Sequence, residues 1–299
     1  MKTPTKAATP TVVSVINLKG GVGKTTVTAL LARYAATEWG LDVLAVDLDS
    51  QANLSQALMG EVDYKQFMDE KQPSIVELFN GFAPATPRKP SPHPLDPASV
   101  IQPVETGWQN VGTLEIIPSR FDFSDNLTQS MGKEGVNKKA LAKFIADHMQ
   151  HKDLILIDCA PTESILTVAS YHASRYVLVP VKTEFFSTIG FPLMKKSLKR
   201  FCKSNSRNQI DVCGVVIHRT KTSGSTDSKD GWDSLDDIRK KAREYGWDVL
   251  ENVMHHSDAY PRWAKDPFAG YLGNTEHEWP KIAEEILAKI GLRKKEAEQ

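Results

Sequence analysis

Cysteine is scarce in this chain. The three present, Cys159, Cys202 and Cys213, are odd in number and scattered. That argues against a disulfide framework and against a zinc site with ordinary ligand spacing, and it implies a reducing cytosol. Long apolar runs are also missing; none approaches the ~20 residues that span a bilayer. Met1 to Pro10 is polar with no apolar centre, so it does not read as a secretory signal and is expected to be a disordered lead. Neither sign of charge is in excess, because Lys+Arg and Asp+Glu are both 37. Any contact with nucleic acid or membrane must then come from a local patch. No internal repeat and no Cys-x-x-Cys pair occurs.

What is present is an ordinary globular composition, 40% hydrophobic and 25% charged over 299 residues. That is enough apolar material for a sizeable core, in one large or two small domains. Eight consecutive residues stand out: Lys19, Gly20, Gly21, Val22, Gly23, Lys24, Thr25 and Thr26. They follow an apolar run, Val12 to Leu18, and precede a helical pattern, Val27 to Trp39. A buried strand, a tight glycine turn and a helix start make the layout of a phosphate-binding loop. The glycines let backbone N–H groups turn inward as an anion site, and the helix start adds its positive dipole end. Lys24 is placed to reach the β- and γ-phosphates of a bound nucleotide, and the Thr25 hydroxyl to bind Mg²⁺. The common pattern is G-x-x-x-x-G-K-[ST]. Here Leu18 holds its first glycine position, and a second lysine, Lys19, sits beside it.

The loop resembles the deviant Walker A sequence, K-G-G-x-G-K-[ST], of the ParA/MinD family of ATPases. Further segments continue the resemblance. Asp42 to Asp49 is a second apolar strand ending in two carboxylates, Asp47 and Asp49, and Gln51, Asn53 and Ser55 follow. This D-x-D-x-Q-x-N-x-[ST] run is similar to the family's switch I, with Ser50 where relatives often have proline. Leu154 to Asp158 has the Walker B form, four apolar residues and an acid, and Cys159-Ala160-Pro161 after it is similar to switch II. Leu114 to Ser119 and Val179 to Phe186 also look like family segments. Plasmid-borne members often carry a helix-turn-helix domain ahead of the loop; the ten residues here leave no room for one, so the likeness is to the Soj-type ParA proteins.

The resemblance implies an α/β fold of the P-loop NTPase type: a single doubly wound, mostly parallel sheet flanked by helices. Alternating apolar strands and helical segments point the same way. The expected plan is a lead over residues 1–10, an ATPase domain over 11–292 and a polar tail over 293–299. Seven prolines between Ala83 and Pro103 exclude a helix or a central strand there and predict an extended surface loop. Lys221 to Asp230 reads as another loop, and Val249 to Met254 as the last strand.

The chemistry expected is cleavage of the β–γ bond of ATP, mostly by positioning and charge stabilisation. Lys24 and the loop N–H groups would hold the phosphates. Thr25 would bind Mg²⁺ directly, with Asp47 or Asp158 acting through water. By resemblance, Asp49 polarises the attacking water, and an acid just past a strand end can reach beyond the γ-phosphate. Lys19 precedes the glycine turn, so its side chain should point away from its own phosphates. In the family this lysine crosses an ATP-sandwich homodimer to the partner's phosphates, comparable to an arginine finger supplied in trans. Asp158, Pro161, His218 and Arg219 complete the expected nucleotide site, the last two on the adenine side.

The segment after Gly190 carries Lys195, Lys196, Lys199, Arg200 and Lys203 on one helical face, with no acid before Arg207. Such a stripe is either a solvated face or a set of contacts to the phosphates of nonspecific double-stranded DNA. The resemblance favours DNA. No aromatics interleave, which disfavours single-strand binding. The expected protein is a cytoplasmic, nucleoid-associated partition ATPase whose hydrolysis a ParB-like adaptor stimulates. The competing expectation is a MinD-like membrane switch. It needs a terminal amphipathic anchor, and Leu292 to Gln299 has almost no apolar face.

Overall fold

The unbroken apolar runs of the sequence become strands buried on both faces, as parallel strands between two helical layers must be. In a computed structural model of the chain, the described residues are 9–81, 95–106, 112–123, 137–183, 190–206, 208–219, 235–255 and 278–295. The strands are β1 (Thr11–Val15), β2 (Val43–Asp47), β3 (Gln102–Pro103) and β4 (Leu114–Ile117). They continue as β5 (Leu154–Asp158), β6 (Tyr176–Lys182), β7 (Asp211–Arg219) and β8 (Met254–His255). These strands form one sheet of eight, in the order β3-β4-β2-β5-β1-β6-β7-β8. Every neighbouring pair is parallel except β3 with β4.

Alternate residues of each strand feed opposite cores. In β1, Val13 and Val15 pack with the helix α1 (Lys24–Thr37), and Val12 packs on the other face. The α1 layer also holds α2 (Asn53–Met59) and α9 (Trp279–Lys289), through Leu54, Leu58, Ile282 and Leu287. The opposite layer holds α4 (Ile75–Gly81), α5 (Ala140–His148), α6 (Ile165–Ala173), α7 (Gly190–Ser204) and α8 (Leu235–Glu244). A short helix, α3 (Glu61–Asp69), buries Tyr64 and Phe67 against Ala52 in a small satellite core.

The sheet departs from the expected plan at its two edges. The Pro-rich segment was expected to be loop throughout, yet its end forms a 3₁₀ turn at Pro97–Val100 and the edge strand β3. Val100 is the reason: it is buried in the core and anchors the turn. Pro103 is tolerated because an edge strand leaves one side of its backbone unpaired. At the other edge, Val249 to Met254 was expected to be a strand. Only Met254–His255 pairs with β7 as a ladder, and Val249 makes a lone bridge to Val215. The central part of the Pro-rich segment, the loop expected at 221–230, Glu184 to Phe186 and the terminal residues 1–8 and 296–299 lie outside the described residues.

Candidate functional site

The eight-residue loop joins β1 to α1 at the C-terminal edge of the parallel strands, where open α/β sheets bind ligands. β1 lies between β5 and β6, so strand ends on both sides can reach the loop. Gly21 and Gly23 have positive φ, 71° and 95°, which a side chain at either position would resist. Gly23 is the N-cap of α1 and supplies no side-chain cap, leaving the first N–H groups of the helix directed out of its end. Side-chain space at Gly20 and Gly21 is open, with nothing within 4 Å of a built Cβ. The loop is thus a concave run of backbone with room in front of it. Leu18, where the common pattern has glycine, is partly buried against the core on the α7 side. It holds the loop's start to the sheet.

Two lysines serve this loop differently. Lys24 is buried, and its Nζ donates to the Lys19 carbonyl at 3.2 Å. Burial pulls its pKa down, while the neighbouring carboxylates of Asp158 and Asp49 push it back up. Lys19 is only partly buried. Its backbone N–H donates to the Asn17 side chain at 2.9 Å. Asn17 is fully buried and donates from Nδ2 to the Pro180 carbonyl of β6 at 2.7 Å. Its Oδ1 also lies 3.1 Å from a Cβ built on Gly190, the first residue of α7. A single amide therefore ties the phosphate loop to β6, and it lies close beside the start of the basic helix.

The acidic side of the site comes from β2 and β5, paired in register so that Asp47 stands opposite Asp158. Thr25 donates its hydroxyl to Asp158 Oδ2 at 2.7 Å. The other oxygen, Oδ1, is buried and has no hydrogen-bond partner among the described residues. Burial, then the Asp47 charge, raises the Asp158 pKa well above the usual carboxylate range. An unsatisfied buried acceptor beside a threonine hydroxyl is a donor set that a hard, water-carrying cation such as Mg²⁺ fits. Asp47 is fully buried and engaged: Oδ1 accepts the Asp49 N–H at 3.0 Å, and Oδ2 accepts the Ser55 N–H and hydroxyl at 2.9 and 2.7 Å. Ser55 Oγ in turn accepts the Ser119 N–H at 2.9 Å. Asp47 therefore shapes the turn that carries Asp49 as well as facing Asp158. Asp49 is half-buried, with Oδ1 accepting the Gln51 N–H at 3.0 Å.

The remaining expected residues divide. Pro161 is half-buried just past β5. His218 is buried at the end of β7, its Nδ1 3.1 Å from a Cβ built on Gly23. Its ring therefore lies directly against the phosphate loop. Arg219 closes the same strand. Cys159 is buried, and burial pushes its thiol up to about 12, so it is inert packing beside the site. The five basic residues of α7 are all exposed on one side, opposite the buried Phe191, Met194, Leu198 and Phe201. Lys195 donates to the Tyr245 carbonyl and Arg200 pairs with Glu163, while Lys196, Lys199 and Lys203 face outward. Arg207 lies outside the described residues. Sequence reasoning passed over Asn17, Ser55 as the partner of Asp47, and Ser119. A polar residue near the end of the apolar run Val12 to Leu18 was the available signal for Asn17.

A parallel sheet with this loop between its central strand and a helix, and acids at two neighbouring strand ends, defines a P-loop NTPase fold. A family profile described as an AAA domain matches residues 10–212. The chain belongs to the ParA/MinD-like family that this profile and its relatives describe. It is 31% identical to the chromosome-partitioning ATPase Soj of Treponema pallidum over 285 residues, 93% of this chain and 97% of that one. It is 29% identical to the chromosome partitioning protein ParA of Caulobacter vibrioides over 210 residues, 69% of this chain and 68% of that one. It spans only 58% of some other relatives. Among solved structures, the ATP complex of a Cyanothece McdA variant superposes with a TM-score of 0.73 at 18% identity, covering 98% of this chain and all of that one.

Proposed function

We propose that the chain is a ParA-type partition ATPase: it binds ATP, dimerises on it, holds nonspecific duplex DNA as the dimer, and leaves DNA when a partner stimulates hydrolysis. The observation that carries this is the loop itself, with a buried Lys24, a second lysine at its entrance and Thr25 bonded to a buried Asp158. The named relatives and the ATP-bound neighbour support the nucleotide and the general role.

In this reading Lys24 exchanges its bond to the Lys19 carbonyl for phosphate oxygens. The open N–H groups of the loop and of the α1 start hold the same phosphates. Thr25 and Asp158, with Asp47 behind them, would hold Mg²⁺, which supplies charge neutralisation on the phosphates. Asp49 orients and polarises the attacking water. Lys19 stabilises charge on the partner subunit's nucleotide. His218 and Arg219 would serve the nucleotide's base side, His218 through its packing on Gly23. Lys196, Lys199 and Lys203 would contact DNA phosphates, and Lys195 and Arg200 would first release their protein partners.

The membrane alternative finds little support. Trp279, Ile282, Ile286 and Leu287, the apolar side of α9, are at most 2% exposed. Beyond them, Lys295 is held by Asp42 at 3.0 Å and Asp153 at 2.7 Å. No described helix is long and apolar enough to cross a membrane. The deciding experiment measures binding to duplex DNA and to anionic vesicles, each with ADP and with a non-hydrolysable ATP analogue. Retention on DNA only with the analogue is expected. Analogue-dependent vesicle binding without DNA binding would overturn the reading.

A further inference from the structure

The opposite edge of the sheet holds a second basic feature. Because β5 and β6 run toward the nucleotide edge, α6 and α7, which follow them, run back and end at the far edge. Where they end, a cleft of about 520 Å³ opens against the first turns of α5. Its described lining includes Lys139, Lys143, His172, Ser204 and Asn205, and no carboxylate. Helix C-termini normally present unpaired carbonyls, which repel anions. Here two of them are covered: Asn208 Nδ2 donates to the His172 carbonyl at 3.3 Å, and Asn205 Nδ2 to the Phe201 carbonyl at 3.0 Å. The start of α5 borders the cleft through its N-cap residue Lys139 and through Lys143.

The charge at this place is felt by the His172 ring. The His172 pKa is lowered by burial and then by the Lys139 and Lys138 charges. Lys138, Lys139 and Lys143 are exposed. The cleft also continues the α7 stripe. Lys203 sits on the last turn of α7, and the next residue, Ser204, lines the cleft. A fifteen-residue helix is about 22 Å long. The stripe, from Lys195 to Lys203, thus runs along α7 toward the edge at which the cleft opens.

We propose that this cleft is a second phosphate-binding site for the duplex backbone, with Lys139 and Lys143 as its cations and Ser204 as a hydroxyl donor. It extends the DNA footprint off α7 and onto α5. The proposal rests on the DNA-binding reading above, and its test separates the two. Binding of a random-sequence duplex to the full chain, with a non-hydrolysable ATP analogue, is measured across a salt series. The proteins compared are wild type, Lys139→Gln/Lys143→Gln and Lys139→Arg/Lys143→Arg. Each phosphate contact contributes about 0.9 to the slope of log affinity against log salt. The Gln pair should lower the slope by roughly 1.8, and the Arg pair should keep it. Thermal unfolding of all three proteins shows whether each is folded. A slope for the folded Gln pair equal to wild type would overturn the cleft and leave the reading standing. Absence of wild-type DNA binding in every nucleotide state would overturn both.

Discussion

At the scale of single residues, polar groups buried beside the loop decide how it is held. Asn17 satisfies the Lys19 N–H and the Pro180 carbonyl at once. Asn17→Ala leaves both without that partner, at a cost of about 1–3 kcal/mol per buried unsatisfied group. We expect a clearly lower melting temperature and weaker ATP-analogue binding. Asn17→Asp should be worse than its size implies, because a carboxylate cannot donate to Pro180 and would face its carbonyl oxygen. Calorimetric unfolding and nucleotide titration of both variants check this; wild-type values for Asn17→Asp would exclude the role. Asp47 gives a prediction in pH. Burial raises its pKa to about 6, against about 3.9 for an unfolded chain. Between those values the folded state keeps a proton that the unfolded state has lost, so stability from this group is full below about pH 4 and gone once pH has risen through 6. In nucleotide-free protein, Asp47→Asn should therefore gain on wild type in melting temperature as pH rises from 4.5 to 7.5. A constant difference between the two curves would show that Asp47 is not held in this way.

At the scale of elements, α7 is the piece whose two sides do different work. Phe191, Met194, Leu198 and Phe201 are buried, and the basic stripe is not. Replacing Lys196, Lys199 and Lys203 with Gln should leave folding nearly intact, because exposed charges contribute little to stability. It should reduce the salt slope of DNA binding by about 2.7 if each contacts a phosphate; an unaltered slope would clear this helix of the role. Elements of this kind were legible beforehand because periodicity shows directly in sequence: 3.6 residues for α7 and α9, unbroken apolar runs for β2, β5 and β6. The loop was legible because glycine and lysine at fixed spacing have a local cause. β3 and α3 were not. Each is short, and each exists through a distant contact: β3 through pairing with β4, α3 through Tyr64 and Phe67 packing on Ala52. The bonds of Asn17 to Pro180 and of Ser55 to Ser119 span 163 and 64 residues. Nothing in the local pattern announces such pairings. Lys295 is similar: it sits in a segment expected only to be a polar tail, and two acids at the starts of β2 and β5 hold it.

At the scale of the whole molecule, the proposal depends on two subunits sharing each site, and that can be tested without a structure of the dimer. Asp49 and Lys19 belong to the same chain, but in a nucleotide sandwich they act on different nucleotides. Lys19→Ala should abolish turnover because both sites of its homodimer lack the crossing lysine. Asp49→Ala should abolish it because both sites lack the group that polarises water, and its homodimer should persist with ATP bound. The two variants are mixed in equal amounts before ATP is added. A heterodimer then contains one site with Asp49 from the first variant and Lys19 from the second. Random mixing makes roughly half of all dimers heterodimers, each with one active site of two, so about a quarter of the wild-type turnover should return. If Lys19 instead serves its own subunit, every site in the mixture lacks one group and activity stays at the background of the separate variants. Turnover measured against mixing ratio distinguishes the two outcomes, because trans action predicts a maximum at equal amounts and cis action a flat line.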